Sequence, residues 1–87
     1  MGSREDDVRR NTRTVRLDDL VAVLESAGFG CRRCGNGHWS CRHEPSGAWV
    51  VIAPAHGRGD SFLRPTYVRA ALKALEAKRQ WDAEQQP

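Results

Sequence analysis

Most of the side chains capable of chemistry lie in one short stretch of the sequence, between residues 31 and 43. This stretch contains all three cysteines and two of the three histidines, namely Cys31, Cys34, Cys41, His38 and His43. Imidazole titrates near neutral pH and can move protons, whereas cysteine thiolates act as metal ligands or nucleophiles. The stretch therefore supports two kinds of chemistry, acid–base catalysis and metal binding.

The metal-binding interpretation rests on four residues, Cys31, Cys34, Cys41 and His43, which supply enough soft ligands for one zinc ion. Residues three apart in a regular strand point to opposite faces, so Cys31 and Cys34 can share a metal only if the backbone curls into a knuckle. A zinc ion in this stretch would also bind His38 or compete with it, so metal binding and acid–base catalysis by His38 are close to mutually exclusive. We therefore expect no metal and no other cofactor, and keep the zinc knuckle as an alternative interpretation of this stretch.

The bulk composition indicates one small domain without a membrane segment. A chain of 87 residues buries only about 60% of the surface that its unfolded form exposes, so its core must be small. It contains no apolar run long enough to span a bilayer and no signal-peptide pattern, which predicts a soluble protein in the cytoplasm. An odd number of cysteines excludes a closed disulfide framework, and cytosolic thiols are usually free, metal-bound or catalytic.

The positive charge comes almost entirely from arginine, with twelve arginines against two lysines and a net charge of +3. The guanidinium group makes forked contacts with phosphate. Residues 30–64 form the basic part of the chain, with Arg32, Arg33, Arg42, Arg58 and Arg64 against two carboxylates. This distribution favours a polyanionic partner such as RNA, although a solvated charged surface is an equally simple explanation.

Around this basic part, periodic patterns predict helices. Residues 1–15 are polar with mixed charges and lack an apolar period, so we predict a disordered arm there. A helical period starts at Leu17 and continues to Leu24, and Gly28 and Phe29 have the residue types that end a helix. A second helix is predicted from Pro65 through four apolar positions at helical spacing, Val68, Ala71, Leu72 and Leu75.

Three strands are predicted between the two helices, at Cys31–Cys34, Trp39–His43 and 49–52, separated by glycine-containing turns. The fold class is therefore α+β in the order α-β-β-β-α, with a three-stranded antiparallel sheet and two helices on one of its faces. A single domain occupies residues 16–79, and residues 80–87 form a C-terminal tail that includes Trp81.

Several local strings together resemble the HicA family of messenger-RNA-cleaving toxins over roughly residues 17–75. They are the helix end Gly28-Phe29, the pair Gly37-His38, the segment Pro54-Ala55-His56-Gly57, and Arg64-Pro65 followed by Val68-Arg69 and Leu72. The resemblance implies a fold like that of the double-stranded-RNA-binding domain. It also implies a metal-independent endoribonuclease (mRNA interferase) and a HicB-like antitoxin as partner. Where the family has Gly-Ser-His, this chain has Asn36-Gly37-His38.

The resemblance makes His38 the catalytic residue, and its chemistry fits because imidazole can remove the 2′-hydroxyl proton that starts RNA cleavage. We assign RNA binding to residues on or near the same hairpin and to the loop after the third strand, namely Arg32, Arg33, Gly37, Trp39, Arg42, His56 and Arg58. Either Trp39 or Trp49 can stack on bases, and the other is expected in the core. A non-catalytic RNA-binding module of the same fold remains the alternative.

Overall fold

A computed structural model describes residues 3–35, 37–53 and 62–85 of the chain. It contains three helices and one three-stranded antiparallel sheet, so the predicted α+β class is confirmed. In chain order the elements are α1 (Ser3–Arg10), α2 (Leu17–Ser26), β1 (Gly30–Arg33), β2 (Trp39–His43), β3 (Ala48–Ile52) and α3 (Pro65–Gln85).

Helix α2 ends as its sequence predicts, at a glycine in the left-handed region. Gly28 has φ of +98°, and its backbone N–H donates to the carbonyl of Glu25 at 3.0 Å. The N–H of Phe29 donates to the carbonyl of Leu24 at 3.0 Å, which completes a Schellman motif. The Phe29 ring is buried in the core. This stop turns the chain directly into β1.

The three strands pair in sequence order, β1-β2-β3, and both pairings are antiparallel. Cys31 lies opposite Cys41, and Cys41 lies opposite Val50 on the next strand. Glycines with positive φ, Gly37 and Gly47, stand at the ends of the two tight turns. The predicted meander is therefore confirmed, with each strand within about one residue of its expected position.

One face of the sheet is buried and the other is not. The buried side chains alternate along the strands and come from Cys41, His43, Ala48, Val50 and Ile52. Helix α3 packs on β3, and α2 packs against β1 and α3, so both helices contribute to one core. The fully buried residues Leu20, Leu24, Val68 and Leu75 fill the space between helices and sheet.

The prediction of a disordered arm over residues 1–15 is wrong for residues 3–10, which form α1. A single apolar side chain, Val8, is buried in the common core and anchors this helix. Charged contacts complete the attachment: Arg9 bonds to Glu5 and to Glu76 of α3, and Arg79 of α3 also bonds to Glu5. A search for apolar periodicity misses such a helix because one apolar residue has no period.

Helix α3 is longer than predicted, because it runs through residues 80–85 of the expected tail. Its last turns are held by Trp81, whose ring meets the His43 ring edge-on at 5.5 Å between centroids. Among the described residues, no helix is both long and apolar enough to cross a membrane.

The charged contacts between α1 and α3 predict a pH-dependent stability. Burial raises the pKa of Glu5, but hydrogen bonds and charges from Arg79 and Arg9 lower it by more, so its pKa is below the ordinary 4.5. A carboxylate with a lowered folded-state pKa stabilises the fold above its ordinary pKa, and this contribution is lost as the pH falls through the folded-state value.

We therefore expect the urea midpoint of the wild type to fall more steeply from about pH 5 to about pH 3 than that of Glu5→Gln. The control is Glu25→Gln, which removes an exposed carboxylate on α2. Equal pH slopes for wild type and Glu5→Gln would contradict the proposed contribution of Glu5.

Candidate nucleic-acid interface

The uncovered side of the sheet carries a compact set of polar, cationic and aromatic side chains. We call this set the open face and define it as Arg32, Ser40, Arg42, Trp49 and Val51. The strand register brings them together, because Arg32 lies opposite Ser40, Ser40 opposite Val51, and Arg42 opposite Trp49. The arrangement follows from side-chain alternation: the neighbours of these residues along β2 and β3 face the core.

Trp49 is the most exposed large apolar side chain of the open face, at 58% of its full exposure. Its indole Nε1–H donates a hydrogen bond to Oγ of Ser40 on the neighbouring strand, at 3.1 Å. The ring is thereby tied to β2 rather than free to swing into solvent. The open face thus presents a positioned aromatic surface to water.

Two arginines flank this ring, and both are exposed. Arg32 and Arg42 line a shallow groove of about 680 Å³ together with Ser40 and Trp49. The groove also contains one carboxylate, Glu44, whose Oε1 lies 3.8 Å from Nη1 of Arg42. At that distance and exposure the pair contributes little, so the Arg42 guanidinium stays available to an anion.

His38 lies where the β1–β2 hairpin opens into β2. The carbonyl of His38 accepts a hydrogen bond from the N–H of Cys34 at 2.7 Å, which continues the strand pairing one step beyond Arg33 and Trp39. Side-chain alternation puts His38 in line with Ser40, two residues further on, and therefore on the same side as the open face. The half-buried histidine thus lies at one end of the surface that carries Trp49 and the arginines.

The structure brings together only part of the residue set that we assigned to RNA binding. Arg32 and Arg42 are on the open face, and Gly37 adopts φ of +85° in the turn beside His38. Arg33 is exposed but pairs with Trp39, which packs against the core, so neither belongs to the open face. The remaining two residues, His56 and Arg58, lie outside the described part of the chain.

Of the two tryptophans considered for stacking, Trp49 is on the open face and Trp39 is on the covered one. Side-chain alternation along each strand shows which residues share a face of the sheet with each tryptophan. It does not tell which of the two faces the helices cover. The observed packing decides it, because the helices cover Ala48, Val50 and Ile52 at alternate positions of β3. Trp49 falls between them.

The cysteines behave differently from the expectation of free, metal-bound or catalytic thiols. Cys31 and Cys41 face each other across β1 and β2, with Cα atoms 4.0 Å apart, and form a disulfide. Their sulfurs are then not thiolates that could bind zinc, and Cys34 is exposed and unpaired with another cysteine. Within the described ranges no three potential ligands cluster, so the four residues of the zinc alternative do not form a site.

His43, the remaining member of that alternative set, is a buried structural residue. It is only 7% exposed, and its Nδ1 lies 2.6 Å from Oγ of Ser46 in the following turn. The same Oγ accepts the backbone N–H of Ala48 at 3.1 Å. The imidazole also contacts the rings of Phe29 and Trp81. His43 therefore joins the β2–β3 turn to Phe29, just after α2, and to α3, and its imidazole is not presented to a ligand.

Reduction of the Cys31–Cys41 bond should destabilise the protein. A cross-link between cysteines ten residues apart restricts the unfolded chain, and a loop of this size corresponds to about 3 kcal/mol. In a Cys34→Ser background, which removes thiol exchange, we expect dithiothreitol to lower the free energy of unfolding by about 2–4 kcal/mol. The Cys31→Ser/Cys34→Ser double variant is the control and should not respond. Identical urea curves with and without reductant in the first variant would contradict the cross-link.

Removal of the Ser46 hydroxyl should weaken the turn that His43 supports. Ser46→Ala leaves the N–H of Ala48 and the His43 ring without their common partner, so we expect a loss of about 1–2 kcal/mol in the free energy of unfolding. Ser26→Ala, at the exposed end of α2, is the matched control and should change stability by less than about 0.5 kcal/mol. Urea unfolding followed by circular dichroism measures both. A Ser46→Ala protein as stable as the wild type would refute this role.

Comparison of the chain with protein-family models, with curated proteins and with solved structures found no match in any of the three.

Proposed function

We propose that this protein is an endoribonuclease of the HicA type that cleaves messenger RNA in the cytoplasm, with His38 as its general base. The observation that carries the proposal is the position of His38, at the end of a hairpin and in line with an exposed surface that contains two arginines. A base beside a cationic surface can remove the 2′-hydroxyl proton while cations stabilise the charge on the phosphate. The proposal also includes the fold relationship to double-stranded-RNA-binding domains, since α2, the three strands and α3 follow that order.

The proposed reaction uses the RNA's own 2′-hydroxyl as the nucleophile. His38 takes the 2′-hydroxyl proton, the 2′-oxygen attacks the adjacent phosphorus, and the bond from phosphorus to the 5′-oxygen breaks. The products are a 2′,3′-cyclic phosphate and a 5′-hydroxyl end, whose oxygen takes a proton from water, and the hydroxide that remains takes the proton back from His38. No metal or redox partner enters this balance.

Magnitudes show why a base alone is not sufficient. A positioned general base contributes about 10²- to 10⁴-fold to the rate. Further acceleration requires that the 2′-oxygen be held in line with the phosphorus and that cations stabilise the charge developing on the phosphate oxygens. Arg32 is a cation of the open face and lies on β1, the strand that pairs with the start of β2 beside His38. We therefore assign Arg32 to the phosphate next to the cleaved bond.

The proposed partner is a HicB-like antitoxin that silences the toxin by covering this surface. Arginine and tryptophan are the residue types that dominate the affinity of protein interfaces, and the open face offers both. The same surface also supports the second candidate function, a non-catalytic RNA-binding module. The altered turn sequence, Asn36-Gly37-His38, favours that candidate if it holds the imidazole away from the 2′-oxygen.

The test compares the wild type with His38→Ala for growth arrest and for cleavage of RNA by the purified chain. We expect His38→Ala to lose cleavage by at least about 10²-fold and to lose toxicity, with an unchanged circular dichroism spectrum and urea midpoint. His43→Ala is a useful contrast, because loss of a buried histidine should lower stability and thereby reduce activity. Cleavage by folded His38→Ala at the wild-type rate would exclude His38 as the base, and absence of cleavage by the wild type would favour the binding module.

A further inference from the structure

Trp49 is exposed in a way that the fold does not require. A residue on the outer side of β3 can be polar without loss of core packing, yet this position carries a large aromatic ring that is 58% exposed. Single exposed apolar residues are common on protein surfaces. This one differs because it is anchored to Ser40, lines a groove and has arginine on the neighbouring strand.

The hydrogen bond to Ser40 defines how the ring can be used. The backbone of Trp49 is opposite Arg42, but its indole N–H reaches Ser40, two residues away along β2. The ring therefore extends along the surface of the sheet instead of standing upright from it. An exposed aromatic ring held in this position can stack on a planar aromatic ligand.

The available charge around the ring is positive. Arg32 and Arg42 are exposed, and among the residues that line the groove only Glu44 is acidic. A second groove, between α1, α2 and α3, is lined by Arg4, Lys78 and Arg79, but Lys78 pairs with Asp82, Arg79 pairs with Glu5, and the described residues that line it include no aromatic ring. Among the residues that the structure describes, the two arginines of the open face lie near an aromatic ring, and their one ion pair is the 3.8 Å contact of Arg42 with Glu44.

We propose that the open face binds single-stranded RNA, with one base stacked on Trp49 and neighbouring phosphates against Arg32 and Arg42. This inference rests on the proposed function and names its substrate class. Duplex RNA keeps its bases stacked inside the helix, so a ring lying along a sheet cannot reach them. A single strand can turn a base outward onto an aromatic side chain. The bound strand then lies on the side of the sheet on which His38 lies, directly before β2.

The experiment measures the affinity of a fluorescently labelled ten-nucleotide oligouridine in a His38→Ala background, which keeps the RNA intact. Trp49→Ser removes the ring, whereas Trp49→Phe keeps an aromatic face. We expect Trp49→Ser to weaken binding about 5- to 100-fold and Trp49→Phe to stay within about threefold of the parent.

Arg42→Ala tests the phosphate contact, and Arg69→Ala, at an exposed position of α3, is its matched control. Both variants lose one positive charge, so a purely long-range effect of net charge would weaken binding equally in both. A direct phosphate contact predicts that Arg42→Ala lowers the slope of log affinity against log salt by about one and that Arg69→Ala does not.

Binding that is insensitive to Trp49→Ser, or a duplex competitor as effective as the single strand, would overturn the proposal. A cleavage assay with the protein that retains His38 distinguishes failure of the open-face proposal from failure of the proposed function. Trp49-dependent binding without His38-dependent cleavage supports the open face and refutes the catalytic role. His38-dependent cleavage with an unchanged KM in Trp49→Ser supports catalysis and refutes the open face as the RNA site.

Discussion

Helix α3 covers only one side of a three-stranded sheet, and this one-sided contact determines which side chains of the sheet are buried and which are exposed. Val50 and Ile52 need an apolar cover, and α3 supplies it through Val68, Ala71 and Leu75. Because side chains alternate along a strand, burial of these positions forces the residues between them outward. The packing of α3 on the sheet therefore produces both the core of this small domain and its exposed polar and aromatic surface.

Much of this fold could be predicted from the sequence, since most elements carry strong local signals. The apolar period of α2, its glycine stop at Gly28 and the glycine turns between strands each act over a few residues. The elements that were missed depend on distant partners. Helix α1 is anchored by Val8 and by ion pairs to residues of α3, and no local pattern contains that information. The final turns of α3 likewise need His43 as a contact for Trp81.

The candidate site was less predictable than the fold for a related reason. Residue types and spacing put His38 and the arginines on one hairpin, but which side of each strand faces solvent depends on where the helices pack. That choice separates Trp49 from Trp39 and Arg32 from Arg33. It also separates the two histidines of the hairpin region: His43 is enclosed by Phe29, Ser46 and Trp81, whereas His38 lies at the edge of the exposed side.

The attachment of α1 to α3 has a consequence for how the protein folds during synthesis. Arg9 and Glu76 are 67 residues apart in the sequence, and Glu5 and Arg79 are 74 apart. Helix α1 therefore cannot make these ion pairs until α3 has formed. Contacts at such separations form late, because the loop that they close must lose its entropy first. Strand β3 therefore lacks its helical cover until α3 has emerged from the ribosome. The buried side of β3, and with it the open face on the opposite side, acquires its final geometry only after α3, which follows the strands in the chain, has been translated.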